Sequence, residues 1–289
     1  GGGVLFLDYV EPCTFGSEMK DKFSVVSTPY QQVMSSEAAM LEVLANTRKH
    51  GFAFMTGTPL DKDLTQQLIE RIAPIQHTIY GGFWETVVKS RDEADNIDSA
   101  YSSVALPAHT DGNYFVDPPG LQIFHCLQPD AKGGGESLLV DGFRVAENVK
   151  RRDLAAFEML ARHKVTYQHL DGTHHLRAKH HTIGLDGGGR LESIHFNNLD
   201  RDTLLLPLDQ TEQFYDAWRV FSKEVQNPSN EVWYKLTPGD VVIIDNCRVM
   251  HGRSAFDIGS GRRLVGCYVS TQDFHGRYRV LKAKKDAGT

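Results

Sequence analysis

The feature that most restricts how this chain can fold is a series of short β-type runs punctuated by turn sequences. The runs lie at 121–127, 137–140, 165–169, 191–196, 240–245 and 264–270. Between them stand Pro118-Pro119-Gly120, Gly133-Gly134-Gly135, Gly187-Gly188-Gly189 and Pro238-Gly239, which bend or stop an extended chain. Helical periodicity interrupts the series only near 142–163 and 209–226. A parallel sheet needs a crossover between successive strands, so this spacing predicts instead an antiparallel double-sheet barrel, mainly β with flanking helices. The first 75 residues are expected to lay helices on that barrel. Residues 36–50, SEAAMLEVLANTRKH, carry Met40, Leu41, Val43 and Leu44 at helical spacing, with Ser36 as N-cap and Gly51 as the stop. Phe52-Ala53-Phe54-Met55 reads as a buried strand and residues 62–73 as a second helix. Residues 85–100, charged and weakly periodic, are expected to form a lid-like loop. No internal repeat is visible.

Composition narrows the function classes. Charged residues are 24% of the chain and the formal net charge is −6. A nucleic-acid-binding domain would show a basic excess, so nucleic acid is not an expected partner. No apolar run approaches the ~18 residues that span a bilayer, so no membrane association is expected. The cysteines Cys13, Cys126, Cys247 and Cys267 follow neither a CxxC pattern nor a disulfide-framework spacing, and a reducing compartment is the default. The expected location is therefore cytoplasmic, or mitochondrial if a leader preceded Gly1-Gly2-Gly3, which reads as an expression remnant or a processed end.

The sharpest chemical signal is Ala108-His109-Thr110-Asp111. At a strand end, residues two apart point to the same side, so His109 and Asp111 can offer an imidazole and a carboxylate to one ion. His251, which follows the apolar run Val241-Val242-Ile243-Ile244, is the best candidate for a third ligand. Two histidines and one carboxylate on one face form the facial triad of non-haem Fe(II) oxygenases, which leaves positions open for a cosubstrate and O2. Arg262 lies just ahead of Leu264-Val265-Gly266-Cys267-Tyr268, where a guanidinium could hold a distal carboxylate through paired hydrogen bonds. A one-residue change of register would put Arg263 in that place. His174-His175 and His180-His181 form a short His-rich tract without an acidic ligand and are read as a loop or a strand edge.

From about Tyr80 onward the chain resembles the 2-oxoglutarate-dependent dioxygenases of carnitine biosynthesis, the γ-butyrobetaine and trimethyllysine hydroxylases, within the wider taurine-dioxygenase-like superfamily. The resemblance rests on AHTDGNYF, PPGLQIFHCL, GGGESLLVDGF, FNNLDRD, KLTPGDVVIIDN and RVMHGRSAF…RRLVGCYVS. It implies a double-stranded β-helix (jelly roll) and one catalytic dioxygenase domain over 1–289. It further implies Fe(II) on His109, Asp111 and His251, and 2-oxoglutarate on Arg262 with Ser137 nearby, with O2 as second cosubstrate. It also implies an aromatic cage for a trimethylammonium group at Tyr80, Trp84, Tyr101 and Tyr268, a fitting device because a quaternary ammonium donates no hydrogen bond and is held by ring faces. Asn197 matches a residue near the substrate carboxylate. Asp98 falls where the trimethyllysine branch has Asp and could pair with an α-ammonium group.

What the resemblance implies is an oxidoreductase that hydroxylates an aliphatic C–H of a small cationic or zwitterionic substrate, trimethyllysine-like favoured over γ-butyrobetaine. The same cofactor set could instead support desaturation or oxidative cyclisation of an amine or amino-acid intermediate. A non-catalytic metal- or ligand-binding β-barrel is the rival of another class. A homodimer is left open. The chain departs from the family in two ways: it contains no N-terminal Cys/His zinc pattern, and Cys247 stands where Asp-Asn-Trp is usual.

Overall fold

Strands with two apolar faces can only be layered, because each face needs a cover. The computed structural model describes residues 9–86, 104–130, 133–257 and 261–288. Its strands are β1 (Ser27–Pro29), β2 (Phe52–Thr56), β3 (Phe83–Thr86), β4 (Leu106–His109), β5 (Leu121–Gln128), β6 (Ser137–Asp141) and β7 (Lys164–Leu170). They continue with β8 (His175–His181), β9 (Ile183–Leu185), β10 (Leu191–Ile194), β11 (Glu231–Tyr234), β12 (Val241–Asp245), β13 (Val249–Arg253) and β14 (Arg263–Val269). The helices are α1 (Tyr30–Ser35), α2 (Glu37–His50), α3 (Lys62–Ile72), α4 (Gly142–Arg152), α5 (Leu154–Arg162), α6 (Leu208–Val225) and α7 (Thr271–Ala287).

One sheet has the order β1-β2-β12-β5-β14-β3 and a second the order β11-β6-β13-β4. Within them β1 and β2 run parallel and the other pairs antiparallel. The inner faces meet through Phe52, Phe54, Leu139, Val242, Ile244 and Val249. Alternate residues of the same strands (Ala53, Met55, Val241, Ile243) turn outward onto α2, α3 and α7. On the far side, Leu138, Val140 and Met250 pack on α4, α5 and α6. This is the antiparallel double-sheet barrel with outer helices that the spacing predicts, and the double-stranded β-helix that the resemblance implies.

Local sequence accounts for most boundaries. The Ser36 hydroxyl accepts from Ala39 N and opens α2. Gly51 closes it at φ +82°, and a Cβ there would run into Val249. The 142–163 stretch divides because Asp153 leaves helical geometry and caps α5, accepting from Ala156 N at 2.9 Å. Several expectations need correction at their edges. The 191–196 run ends at Ile194, and Ser270 belongs to no strand but caps α7, which the strand reading had not foreseen. The His-rich tract holds to its reading as a loop or strand edge: His174 precedes β8, and β8 is an edge strand paired with β7 in a two-stranded sheet. Of the expected lid at 85–100, Glu85 and Thr86 end β3 and the remainder lies outside the described residues. Among the described residues no helix is long and apolar enough to cross a membrane. All four cysteines are free.

Candidate metal centre

Register brings the first two imidazoles together. β13 pairs with β4 so that His251 stands opposite His109, and their ring centroids are 4.6 Å apart. Asp111 lies just past the end of β4. There its backbone is gripped by one side chain: Asn246 Oδ1 accepts from Asp111 N at 2.8 Å, while Asn246 Nδ2 donates to Asp111 O at 3.0 Å and to Pro119 O at 2.9 Å. His109, Asp111 and His251 each offer one ligand atom, all within 4.8 Å of one another.

The hydrogen bonds identify which His109 nitrogen faces inward. Nδ1 lies 2.8 Å from Pro107 O. A carbonyl only accepts, so Nδ1 carries the proton and donates. Nε2 then faces Asp111 Oδ1 at 3.2 Å. Two lone pairs cannot face each other at that distance unless a cation lies between them, either a proton or a metal ion. His251 Nε2 stands 3.7 Å from Asp111 Oδ2. Burial alone would raise the Asp111 carboxyl, but the His251 and His109 rings and the Tyr268 hydroxyl outweigh it and hold it at about 2. Burial lowers His251 to about 4, so its ring is neutral at pH 7. The His109 ring goes the other way: burial alone would lower it, but its hydrogen bond to Asp111 and the Asp111 charge outweigh burial and raise it. A divalent metal would take the place of that Nε2 proton, and the donor set of two imidazoles and a carboxylate fits one with open positions.

The triad opens on a cavity of about 380 Å³. One part of its wall carries Ser137, Tyr234, Arg253 and Arg262. Arg253 and Arg262 both lie over the Phe256 ring, at 4.9 and 5.2 Å. The structure separates Arg262 from Arg263. Arg262 lines the cavity and burial pushes its pKa down, whereas Arg263 is half exposed and donates to Glu85 Oε1 at 2.7 Å.

Another part of the wall is aromatic. Tyr80, Trp84 and Tyr268 line it, and the Trp84 ring lies 6.2 Å from that of Tyr268. Trp84 fits because position 266 is glycine: a Cβ there would sit 2.4 Å from the indole. Tyr268 does more than present a ring, since its hydroxyl donates to Asp111 Oδ2 at 3.0 Å. Tyr80 and Tyr114 pair through their hydroxyls at 2.5 Å, and both rings approach His169. Asn197 lines the cavity too, but its Nδ2 donates to Asp200 Oδ2 at 2.8 Å and its Oδ1 accepts from Leu199 N. Asp98 and Tyr101 lie outside the described residues. Cys247 is not part of the cavity wall; its Sγ lies 3.7 Å from Thr271 Oγ1.

Sequence reasoning did not single out Tyr114, His169, Asp200 and Arg253 as cavity residues. Three of them stand inside the quoted motifs AHTDGNYF, FNNLDRD and RVMHGRSAF, so proximity to the triad and to Asn197 was the available signal. His169 carries no such mark. Of the His-rich tract, His180 donates through Nε2 to Phe115 O and stacks on His195 at 4.5 Å, and the tract contributes nothing to the triad.

Comparison with known proteins agrees with this geometry. Over 275 residues the chain is 34% identical to mitochondrial trimethyllysine dioxygenase of Bos taurus, covering 92% of this chain and 63% of that protein. It is 35% identical to trimethyllysine dioxygenase of Neurospora crassa, with the same coverage. It is 29% identical to human gamma-butyrobetaine dioxygenase, covering 95% and 70%. The chain thus spans about 63% of the length of the trimethyllysine dioxygenases it matches. Its fold is like that of an asparagine oxygenase solved with Fe(II), 3-hydroxyasparagine and succinate, at a TM-score of 0.66, 16% identity and coverage of 88% and 90%. Residues 10–268 match the family described as taurine catabolism dioxygenase TauD, TfdA, and the chain belongs to that family.

Proposed function

We propose that this chain is an Fe(II)- and 2-oxoglutarate-dependent dioxygenase that hydroxylates an aliphatic C–H of a small quaternary-ammonium amino acid or betaine, trimethyllysine-like in preference to γ-butyrobetaine. The observation that carries the reading is the triad of His109, Asp111 and His251, closed to within 4.8 Å on a cavity it shares with Arg262. The higher identity to proteins named trimethyllysine dioxygenase supports the preference. The compartment we propose is cytoplasmic or, following the vertebrate relatives that are named mitochondrial, mitochondrial.

In this reading the three side chains hold Fe(II), with the Pro107 carbonyl fixing the His109 tautomer and Asn246 and Tyr268 fixing Asp111. Arg262, with Ser137 beside it, receives the distal carboxylate of 2-oxoglutarate. Iron bound with 2-oxoglutarate and O2 supplies the oxidant that breaks an unactivated C–H bond, giving succinate, CO2 and a hydroxylated product. The chain's own work is positioning. The Tyr80, Trp84 and Tyr268 ring faces, joined in the proposal by Tyr101, seat the quaternary ammonium, while Asp98 pairs with the α-ammonium group and Asn197 meets the substrate carboxylate. The distance between those two anchors then selects the carbon presented to the metal.

The test is succinate release by the purified protein with Fe(II) and 2-oxoglutarate across a panel of methylated amines, with product mass recorded. Release is expected to depend on trimethyllysine more than on γ-butyrobetaine, with one oxygen added to the product. The absence of substrate-dependent release across the panel would remove the quaternary-ammonium reading. His109→Ala is expected to abolish both activity and metal uptake. Turnover retained in that variant would take His109 out of the ligand set.

A further inference from the structure

His180 and His195 lie outside the cavity wall and have no part in the function proposed above, yet both are tied to the turn that bears Asp111. Thr110 stands between His109 and Asp111 and is fully buried. Its N donates to Phe196 O at 2.8 Å, and its Oγ1 accepts from Phe196 N at 3.0 Å. Two residues past Asp111, the buried Asn113 folds its amide back over Thr110, with Nδ2 donating to Thr110 O at 3.1 Å. A carbonyl only accepts, which settles the amide orientation and leaves Oδ1 as an acceptor. It receives the Thr110 hydroxyl at 3.2 Å and His195 Nδ1 at 3.1 Å. His195 is itself fixed: its N donates to Thr182 O, its carbonyl accepts from the Tyr167 hydroxyl at 2.8 Å, and its ring stacks on His180. His180 Nε2 in turn donates to Phe115 O at 2.9 Å, so the stacked pair grips the turn at residues 113 and 115.

A metal site is only as well defined as the groups that hold its ligands. His109 and Asp111 are joined through Thr110, so the setting of that one residue fixes how an imidazole and a carboxylate face each other. The chain leaves β4 at this point and turns at Gly112, φ +67°, where a Cβ would meet Pro119 and Phe115. Beyond the strand end, side chains take over the work of the sheet. We propose that Asn113 and His195 are positioning residues for the metal: the bond from His195 Nδ1 locks the Asn113 amide over Thr110 and so keeps His109 and Asp111 in register for one ion. The inference rests on the metal role proposed above for those two residues and deepens it. Without the bond the amide is free to turn, and the Thr110 carbonyl and hydroxyl lose their partner.

Two substitutions separate the hydrogen bond from the ring stack. His195→Phe keeps a ring on His180 and removes the donor. His195→Asn puts an amide N–H where Nδ1 stood and removes the ring. Co(II) affinity of the full chain is measured by competition with a chromophoric chelator, without cosubstrate or substrate, and the visible absorption of the bound ion is recorded. Thermal unfolding of the metal-free protein is followed in parallel. His195→Phe is expected to bind Co(II) about tenfold or more weakly with shifted visible bands, whereas His195→Asn should stay within about threefold of the original whatever stability it loses. Asn113→Ala, which removes the other end of the bond and the contacts to Thr110, should cost at least as much as His195→Phe. The two combined should add little to Asn113→Ala alone, because both break one contact. Should His195→Phe not fold, Asn113→Ala and His195→Asn decide the matter between them. Unchanged Co(II) affinity and spectrum in Asn113→Ala or His195→Phe overturns the inference and leaves the metal role of the triad standing. A loss in His195→Asn as large as in the other variants also overturns it, since the stack and not the bond would then be at work. If the unaltered protein binds no Co(II), the metal role fails and this inference fails with it.

Discussion

Arg248 and Arg262 put the same charge into the same barrel and leave it in opposite conditions. Arg248, 1% exposed, places four of its five N–H donors on acceptors of the fold. It donates to both oxygens of the fully buried Asp141, at 3.1 and 2.7 Å, and to the carbonyls of Lys49 and Cys13, each at 3.0 Å. Asp141 in turn accepts from Phe15 N and Phe143 N. One ion pair thus ties together the N-terminal segment, the end of α2, the β6–α4 junction and the turn before β13. Arg262 lies over Phe256 on the cavity wall and makes no ion pair among the described residues. A guanidinium whose donors end inside the fold is a clamp. One that lines a cavity and makes no ion pair among the described residues is placed to receive an anion, the role proposed above for Arg262.

Breaking the clamp should have the largest effect on the molecule. Arg248→Ala leaves Asp141 charged, buried and without its cation, and removal of one partner of such a pair costs about 3–5 kcal/mol. Denaturant unfolding is expected to show a loss of that size, a large part of the usual domain stability. The double variant Arg248→Met/Asp141→Leu should recover much of it, because an apolar pair avoids the desolvation of both charges. Failure of the double variant to recover would mean that the carbonyl contacts to Cys13 and Lys49, rather than the ion pair, hold the four segments.

Arg262→Met should invert that pattern. Stability is expected to hold or rise slightly, while the 2-oxoglutarate concentration needed for half-maximal turnover rises on the order of 10- to 100-fold, as befits loss of a hydrogen-bonded charge. Arg263→Met, on the exposed side, should change neither by a measurable amount. Equal stability losses for Arg248→Ala and Arg262→Met would erase the distinction between clamp and receptor.

The sequence carried the triad but left the choice between these two neighbours open, and the structure shows why. Strand alternation assigns faces only while the register is regular, and β14 has an irregularity between Arg263 and Leu264 where it pairs with β5. A bulge of this kind resets the alternation and is invisible to periodicity. The clamp was hidden for a related reason: Asp141 and Arg248 meet across 107 positions, a separation that no local pattern encodes. By contrast, α2 was legible to its ends, because its cap, its apolar face and its terminal glycine all lie within one window. The terminal helix α7 could have been read the same way, from Ser270-Thr271-Gln272-Asp273 and the spacing of Phe274, Tyr278 and Leu281. Asp200 was overlooked because a loop acid beside Arg201 reads as a solvated charge, and only the lacing to β7 turns it toward the cavity.

The turn that bears Arg248 also bears Asn246, and substitution there should show the two roles meeting in one loop. Asn246→Ala removes three hydrogen bonds, two of them to the Asp111 backbone. At about 0.5–1.5 kcal/mol per bond, a stability loss of roughly 2 kcal/mol is expected. A purely structural role would stop at that. Because the bonds fix Asp111, Mn(II) affinity measured by electron paramagnetic resonance without cosubstrate should also fall, about tenfold or more. Unaltered Mn(II) affinity in a destabilised Asn246→Ala would assign the residue to the clamp alone.

Asp245, the first residue of the same turn, supplies the finest probe of how fully Arg248 is committed. Burial pushes the Asp245 carboxyl up to about 6, although Arg248 and Arg48 pull it down. A neighbouring cation would ordinarily hold a carboxyl low, but Arg248 has its donors on Asp141, so desolvation prevails at Asp245. The sign of the consequence follows from linkage. As pH falls from 7 toward 5, the folded protein takes up a proton at Asp245 that the unfolded chain, with an ordinary carboxyl near 3.9, does not yet bind. The folded state therefore gains stability from this group over that interval, on the order of 1 kcal/mol, since one pKa unit is about 1.4 kcal/mol. Buried neutral histidines such as His125, which burial lowers to about 4, act in the opposite sense below pH 6.5, so the total curve is a balance. The difference between the original protein and Asp245→Asn isolates the carboxyl, and it should tilt toward the original protein as the solution is acidified. A difference that stays flat from pH 7 to 5 would mean that Arg248 reaches Asp245 as strongly as Asp141, and that the clamp has three charged members instead of two.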